Sequence, residues 1–232
     1  MSCDYDLAAA AQHMTRALML APEDTDVLHN ATILAWSLGR LDTAIAIGEA
    51  EVARDPVNGL AYDSLGDSYC GAHRWDACLA SYRTALALNP GYLGSHSGIG
   101  YVLLVKGKPE AALTELQQET AERWRLSNLS FAYHTLGRKA EADATLAELI
   151  RKYEKQWPYG IVLCLAARGE IDRPFAFLDQ AAAGHEPLLF QIAINSTFDS
   201  LHSDPRWLPF LRKIGRAPEQ LAAIKFDVTL PK

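Results

Sequence analysis

Tyr62-Asp63-Ser64-Leu65-Gly66-Asp67-Ser68-Tyr69 and, beyond His73-Arg74, Ala77-Cys78-Leu79-Ala80-Ser81-Tyr82-Arg83-Thr84-Ala85 with Pro90 decide how this chain folds. Tyr62, Leu65, Gly66 and Tyr69 recur at three- and four-residue steps, the spacing of one helical face. Gly66 and Ala85 stand where two antiparallel helices have to approach closely, and a large side chain there would push the pair apart.

The same pattern recurs along the chain. Pro22, Pro56 and Pro90 follow helix-like runs and lie 34 residues apart. A second series marks the turn inside each pair of helices: Gly39-Arg40-Leu41-Asp42, His73-Arg74-Trp75-Asp76, Gly107-Lys108-Pro109-Glu110, Gly137-Arg138-Lys139-Ala140-Glu141 and Gly169-Glu170-Ile171-Asp172. Glycine takes the left-handed conformation that ends the first helix, and the acidic residue three or four positions later meets the positive end of the next helix dipole. His73 is the departure, and a non-glycine residue there carries strain. Between these marks Leu28, Ala31, Ala35 and Leu38, then Leu126, Leu129, Tyr133 and Leu136, keep the helical spacing, and no segment alternates with period two. Ala44, Ala77, Gly100 and Ala112 repeat the small residues of close helix contact.

These residues resemble the tetratricopeptide repeat (TPR). Its first helix carries a large residue, then Leu-Gly, then Tyr, and its second carries Ala, an aromatic, Ala and a closing Pro. Tyr62, Leu65-Gly66, Tyr69, Ala77 or Cys78, Tyr82, Ala85 and Pro90 make the clearest copy. Units from Thr25 and Leu93 follow it, and those from about Arg123 and Lys155 are degenerate. The resemblance implies an all-α, right-handed superhelical solenoid of helix hairpins with a C-terminal helical cap. Residues 1–22 read as the second helix of an incomplete repeat, 23–184 as about five repeats, and 185–232 as capping helices with an extended tail. In the cap, Asp204 reads as the N-cap and Pro205 as the first helical residue of a helix burying Trp207, Phe210, Leu211 and Ile214, with Pro218 to Ile224 as another short helix. Phe198-Asp-x-Leu201, Ser203-Asp-Pro-Arg-Trp207 and Phe210-Leu-Arg-Lys-x-Gly215 resemble the closing segment of bacterial signalling proteins in which such an array follows a winged-helix, nucleotide cyclase or kinase domain.

Charge and composition bound the function. With 22 Lys+Arg against 28 Asp+Glu the formal net charge is −6, which disfavours a generic nucleic-acid surface. At 49% apolar and 22% charged residues the chain is globular. No apolar run reaches the length of a membrane helix, and Met1 to Asp6 shows no secretory signal, so the expected compartment is cytoplasmic. A periplasmic array is the alternative should a membrane segment precede it. Cys3, Cys70, Cys78 and Cys164 form no CxxC pair and read as buried reduced thiols.

No catalytic constellation emerges. Cys70, His73 and Cys78 do not fit zinc spacing, and the chain has no GxSxG elbow, phosphate-binding Gly loop or HExxH. Ser196-Thr197-Phe198-Asp199 reads as a capping box, and Arg206, Arg212 and Lys213 as basic residues complementing a helix C-terminus. The expectation is a non-enzyme without cofactor or metal.

What remains is a binding surface. By the TPR resemblance the first helix of each repeat lines a concave groove, which here presents His29, Asn30, Asp63, Asp67, Tyr101, Trp124, Asn128, Phe131 and His134. No second-position residue of these helices is basic, and Asn30 and Asn128 are isolated, which argues against the carboxylate-gripping mode of the family. Asp63 and Asp67 favour instead a peptide or partner helix carrying Lys or Arg beside apolar anchors, with Tyr101, Trp124 and Phe131 as the aromatic contacts. The expected role is a protein-interaction scaffold, the sensory or regulatory arm of a bacterial signalling or transcription-regulatory protein. Two alternatives stand beside it. One is a homodimer in which a second copy fills the groove left by the missing first helix. The other is a small-molecule sensor contacting its ligand through His29, Asp67 and Tyr101.

Overall fold

A computed structural model describes residues 6–230. Every regular element among them is helical, and they form two compact units, residues 6–90 with 215–230 and residues 91–214. The first unit opens with α1 (Leu7–Leu20), packed on α2 (Thr25–Ser37). Two hairpins follow, α2 with α3 (Leu41–Arg54) and α4 (Gly59–Gly71) with α5 (Trp75–Leu88). Asp6, Asp24 and Asn58 each cap a helix with a side-chain oxygen, satisfying amides the helix itself cannot.

The second unit holds three hairpins: α6 (Ser95–Val105) with α7 (Pro109–Leu116), α8 (Glu122–Thr135) with α9 (Lys139–Tyr153), and α10 (Pro158–Ala167) with α11 (Asp172–Ala183). Two 3₁₀ helices, Pro187–Gln191 and Ser196–Leu201, and α12 (Trp207–Lys213) complete it. Helix α13 (Pro218–Ala222) returns to the first unit.

All five expected turns share one geometry. Gly39, His73, Gly107, Gly137 and Gly169 have φ of +72, +57, +69, +72 and +75°. In each turn the following residue's amide reaches back five residues to a helix carbonyl, from Arg40 to Ala35, Arg74 to Tyr69, Lys108 to Leu103, Arg138 to Tyr133 and Glu170 to Leu165, at 2.8 to 3.0 Å. His73 therefore occupies the strained position the spacing assigns it, stacked 5.1 Å from Trp75. Leu28, Ala31, Ala35 and Leu38 are buried, as are Gly66, Gly100, Ala44, Ala85 and Ala112.

The turn residues lie 34, 34, 30 and 32 positions apart, and the short third interval, from Gly107 to Gly137, has a local cause. Helix α7 stops at Leu116, and Glu119, almost fully buried, turns back toward α6. Its carboxylate accepts from the amides of Gly94 (3.1 Å) and Ser97 (3.2 Å), supplying the cap that Gly94 has no side chain to provide.

Three expectations are corrected. Cys70 and Cys78 are not reduced thiols: they form a disulfide between α4 and α5, with their Cα atoms 5.3 Å apart. The hairpin brings residues of two different helices face to face, a juxtaposition that their spacing of eight does not advertise. Cys164 is a buried free thiol, pushed up to about 11 by burial, and Cys3 lies outside the described residues. Ser196 does not open a capping box. The cap is Asn195, whose side chain accepts from Thr197 N, and the segment winds as a 3₁₀ helix. Helix α12 begins at Trp207 rather than Pro205, with Asp204 holding the preceding turn through Arg206 N at 2.9 Å. Of its expected apolar stripe Trp207, Phe210 and Leu211 are buried, whereas Ile214, at the helix end, is half-buried. Arg206 and Lys213 tie α12 to Asp172 and Asp179 of α11 at 2.9 and 2.7 Å.

Candidate interaction surfaces

In the first unit the first helices are α2 and α4. Asp26, Asn30 and Ile33 follow one another at four- and three-residue steps, hence on one face of α2, and all three are exposed. Asn30 Nδ2 donates to its own helix at Asp26 O, 2.7 Å away. On α4 the exposed apolar residue is Leu60, 44% exposed, against 36% for Ile33. Asp63 lies one turn further along and is half-buried.

His29 and Asp67 point into their own hairpins. His29 Nδ1 lies 3.3 Å from Oε1 of Glu51 on α3, a fully buried carboxylate neither of whose oxygens has a hydrogen-bond partner among the described residues. Asp67 Oδ1 accepts from the Tyr82 hydroxyl of α5 at 2.6 Å. Burial pushes the Asp67 carboxyl up to about 6, and the Tyr82 hydrogen bond pulls part of that back. Sequence spacing put Asp63 and Asp67 on one face, and the structure commits Asp67 to Tyr82.

In the second unit the chain itself meets part of the first-helix faces, at α6 and α10. The Tyr101 hydroxyl of α6 lies 2.8 Å from Ser196 Oγ. Two residues on, the fully buried Phe198 meets the fully buried Tyr159 of α10 edge to face, with centroids 5.8 Å apart. The 3₁₀ helix Ser196–Leu201 thus touches α6 and α10. Trp124 of α8 packs edge-on against the buried Trp157, 4.6 Å between centroids, and Asn128 Nδ2 donates to Trp124 O in its own helix at 3.1 Å. Phe131 is half-buried and His134 exposed.

The expected groove residues therefore divide into two groups. His29, Asn30, Asp63 and Asp67 belong to one unit, and Tyr101, Trp124, Asn128, Phe131 and His134 to the other. Asn30 and His134 are exposed, whereas Tyr101 and Trp124 are engaged by aromatic and hydroxyl groups of the chain. Glu51 and the 3₁₀ segment escaped sequence reasoning. Glu51 sits in a second helix, outside the groove-lining set, and Ser196 is 95 residues from Tyr101. Among the described residues no cluster of His, Cys, Asp and Glu suits a metal ion.

No protein-family model matches the chain, and no curated protein matches it in sequence. Solved structures do match. The chain is similar to TTC0263, a thermophilic TPR protein of Thermus thermophilus, at 25% identity and a TM-score of 0.61, over 69% of this chain and 90% of that one. It is also similar to YrrB, described as a TPR protein with an unusual peptide-binding site, at 19% identity and a TM-score of 0.51, over 78% of this chain and 96% of that one. A tetratricopeptide repeat protein of Parabacteroides merdae matches at 13% identity and a TM-score of 0.57, over 94% of this chain and 93% of the other. The fold is that of the TPR solenoids. No helix among the described residues is long and apolar enough to cross a membrane.

Proposed function

We propose that the chain is a non-catalytic interaction module that holds a basic, apolar peptide or helix of a partner protein against the first-helix faces of α2 and α4. One observation carries this reading: Ile33 and Leu60 stand exposed on these two helices in acidic and amide surroundings supplied by Asp26, Asn30 and Asp63. Exposed apolar residues on helices that also carry Asp26 and Asp63 select a ligand with Lys or Arg beside its own apolar residues, and the net charge of −6 adds long-range attraction. The similarity to YrrB, whose description includes a peptide-binding site, supports the same class of ligand. In the second unit, Tyr101, Trp124, Asn128, Phe131 and His134 offer less to a partner, because the Ser196–Leu201 helix already lies against Tyr101 and Tyr159.

The wider role is the sensory or regulatory arm of a bacterial signalling protein, on the resemblance of the closing segment. The Cys70–Cys78 disulfide supports placing that arm in an oxidising compartment, the periplasmic alternative rather than the cytoplasmic one, since such bonds persist there. Self-assembly is the second reading. It is supported by Met19 and Leu20, two large apolar residues exposed at the end of α1.

The test is selection from a displayed library of random peptides on the wild type and on an Ile33→Ser/Leu60→Ser/Asp63→Ala variant. Enrichment of sequences pairing Lys or Arg with large apolar residues, lost on the variant and weakened by salt, supports the reading. Recovery of the same peptides from both proteins, or of none, overturns it.

A further inference from the structure

The segment that follows α13 alternates. Ile224, Phe226, Val228 and Leu230 are turned inward to varying depth, with Phe226 only 3% exposed, while Lys225, Asp227 and Thr229 face solvent. This period of two is the signature of an extended strand lying on a surface. The segment belongs to the first unit, although it lies more than 180 residues from the turn that holds it.

That turn is Gly39-Arg40. The Arg40 guanidinium donates through Nη1 to Phe226 O at 2.6 Å and through Nη2 to Ile224 O. In an extended chain carbonyls two residues apart point to the same side, so the planar fork of Arg40 binds the backbone of this segment rather than its side chains. The equivalent turn residues provide an internal comparison. Arg74 pairs with the Asp42 carboxylate at 2.7 Å, and Arg138 pairs with Glu141 in its own helix. Arg40 instead spends both of its terminal nitrogens on main-chain carbonyls of a distant segment. Ile33 and Leu60 remain exposed with this segment in place, so the surface is distinct from the one proposed above.

We infer that the Arg40 surface of the first unit is a receptor for an extended peptide with large apolar residues at alternate positions, and that Ile224–Leu230 is the chain's own occupant of it. A partner presenting such a segment competes with the chain's own copy, which makes the latter an intramolecular gate on this second binding surface. The inference does not depend on the α2 and α4 reading.

A fluorescent peptide of residues 222–230 is titrated against three full-length proteins: wild type, Phe226→Asp, and Phe226→Asp/Arg40→Ala, each first checked by circular dichroism. Loosening the internal segment should open the surface, so Phe226→Asp should bind the peptide at least tenfold more tightly than wild type. Adding Arg40→Ala should remove that gain. Equal affinity for the wild type and a folded Phe226→Asp protein, or a gain that survives Arg40→Ala, overturns the inference. A milder Phe226→Ala protein, with and without Arg40→Ala, gives an independent reading should Phe226→Asp not fold. A gain in peptide affinity over wild type that Arg40→Ala removes supports the receptor, and an affinity equal to wild type, or a gain that survives Arg40→Ala, overturns it.

Discussion

Tyr101 and Ser196 meet hydroxyl to hydroxyl at 2.8 Å, joining the third hairpin to a 3₁₀ helix 95 residues later. Through this contact, and through Phe198 against Tyr159, the second unit meets part of its own first-helix faces. Tyr101→Phe and Ser196→Ala should each cost about 0.5–1.5 kcal/mol, the net worth of one hydrogen bond. The double variant should cost less than their sum. Phe198→Ala should cost more, about 3–5 kcal/mol, because it empties a fully buried aromatic site. Urea unfolding of the four proteins checks the ranking, and strict additivity of the Tyr101 and Ser196 changes would contradict the contact.

Close helix approach makes a graded prediction. A Cβ on Gly100 would lie 2.3 Å from Leu116 Cδ2 and 2.5 Å from Cγ of that fully buried leucine, whereas on Gly66 it would meet the Tyr82 ring at 2.9 Å. Gly100→Ala should therefore destabilise by about 1–3 kcal/mol, beyond the gain of up to about 1 kcal/mol in helix propensity. Gly66→Ala should cost less. Thermal melts of the two variants settle the order.

Asp67 predicts a pH dependence of definite sign. Its folded-state value of about 6 lies above the ordinary 3.8, so between these pH values the folded chain holds a proton that the unfolded chain has released. Stability from this group falls as pH rises from about 4 to 6 and is level above that range. Asp67→Asn should remove the loss, making the variant compare more favourably with wild type at pH 8 than at pH 4, by about 1–3 kcal/mol. Tyr82→Phe, which removes the hydrogen bond that lowers Asp67, should move the transition to higher pH. Urea midpoints at both pH values would show no such difference if Asp67 were freely solvated.

The disulfide closes a short loop, Cys70 and Cys78 being eight positions apart in sequence. In the chain-entropy account a loop of this size contributes about 2–3 kcal/mol. Reduction, or Cys70→Ser/Cys78→Ser, should lower the melting temperature accordingly while leaving the helical content of the folded chain unchanged. Peptide mapping under non-reducing conditions should recover the two cysteines linked, and finding both alkylated in the native protein would refute the bond.

The turns, the helix faces and the small residues of close approach were legible from the residues alone because each is local. A left-handed φ at residue 39 or 107 depends on a glycine there, and a helical face depends on side chains three and four positions apart. His73 shows how far this goes: its place in the series fixed its φ although its identity argued against it. The tail around Phe226 reads as extended from its residues, but its docking was not legible, because nothing near it names Arg40 as its partner. The pairing of Cys70 with Cys78, the covering of Tyr101 by Ser196 and the commitment of Asp67 to Tyr82 were decided by how hairpins fold and stack. Helical periodicity specifies which face of an element is buried, while the group that buries it is chosen by packing between elements distant in the chain.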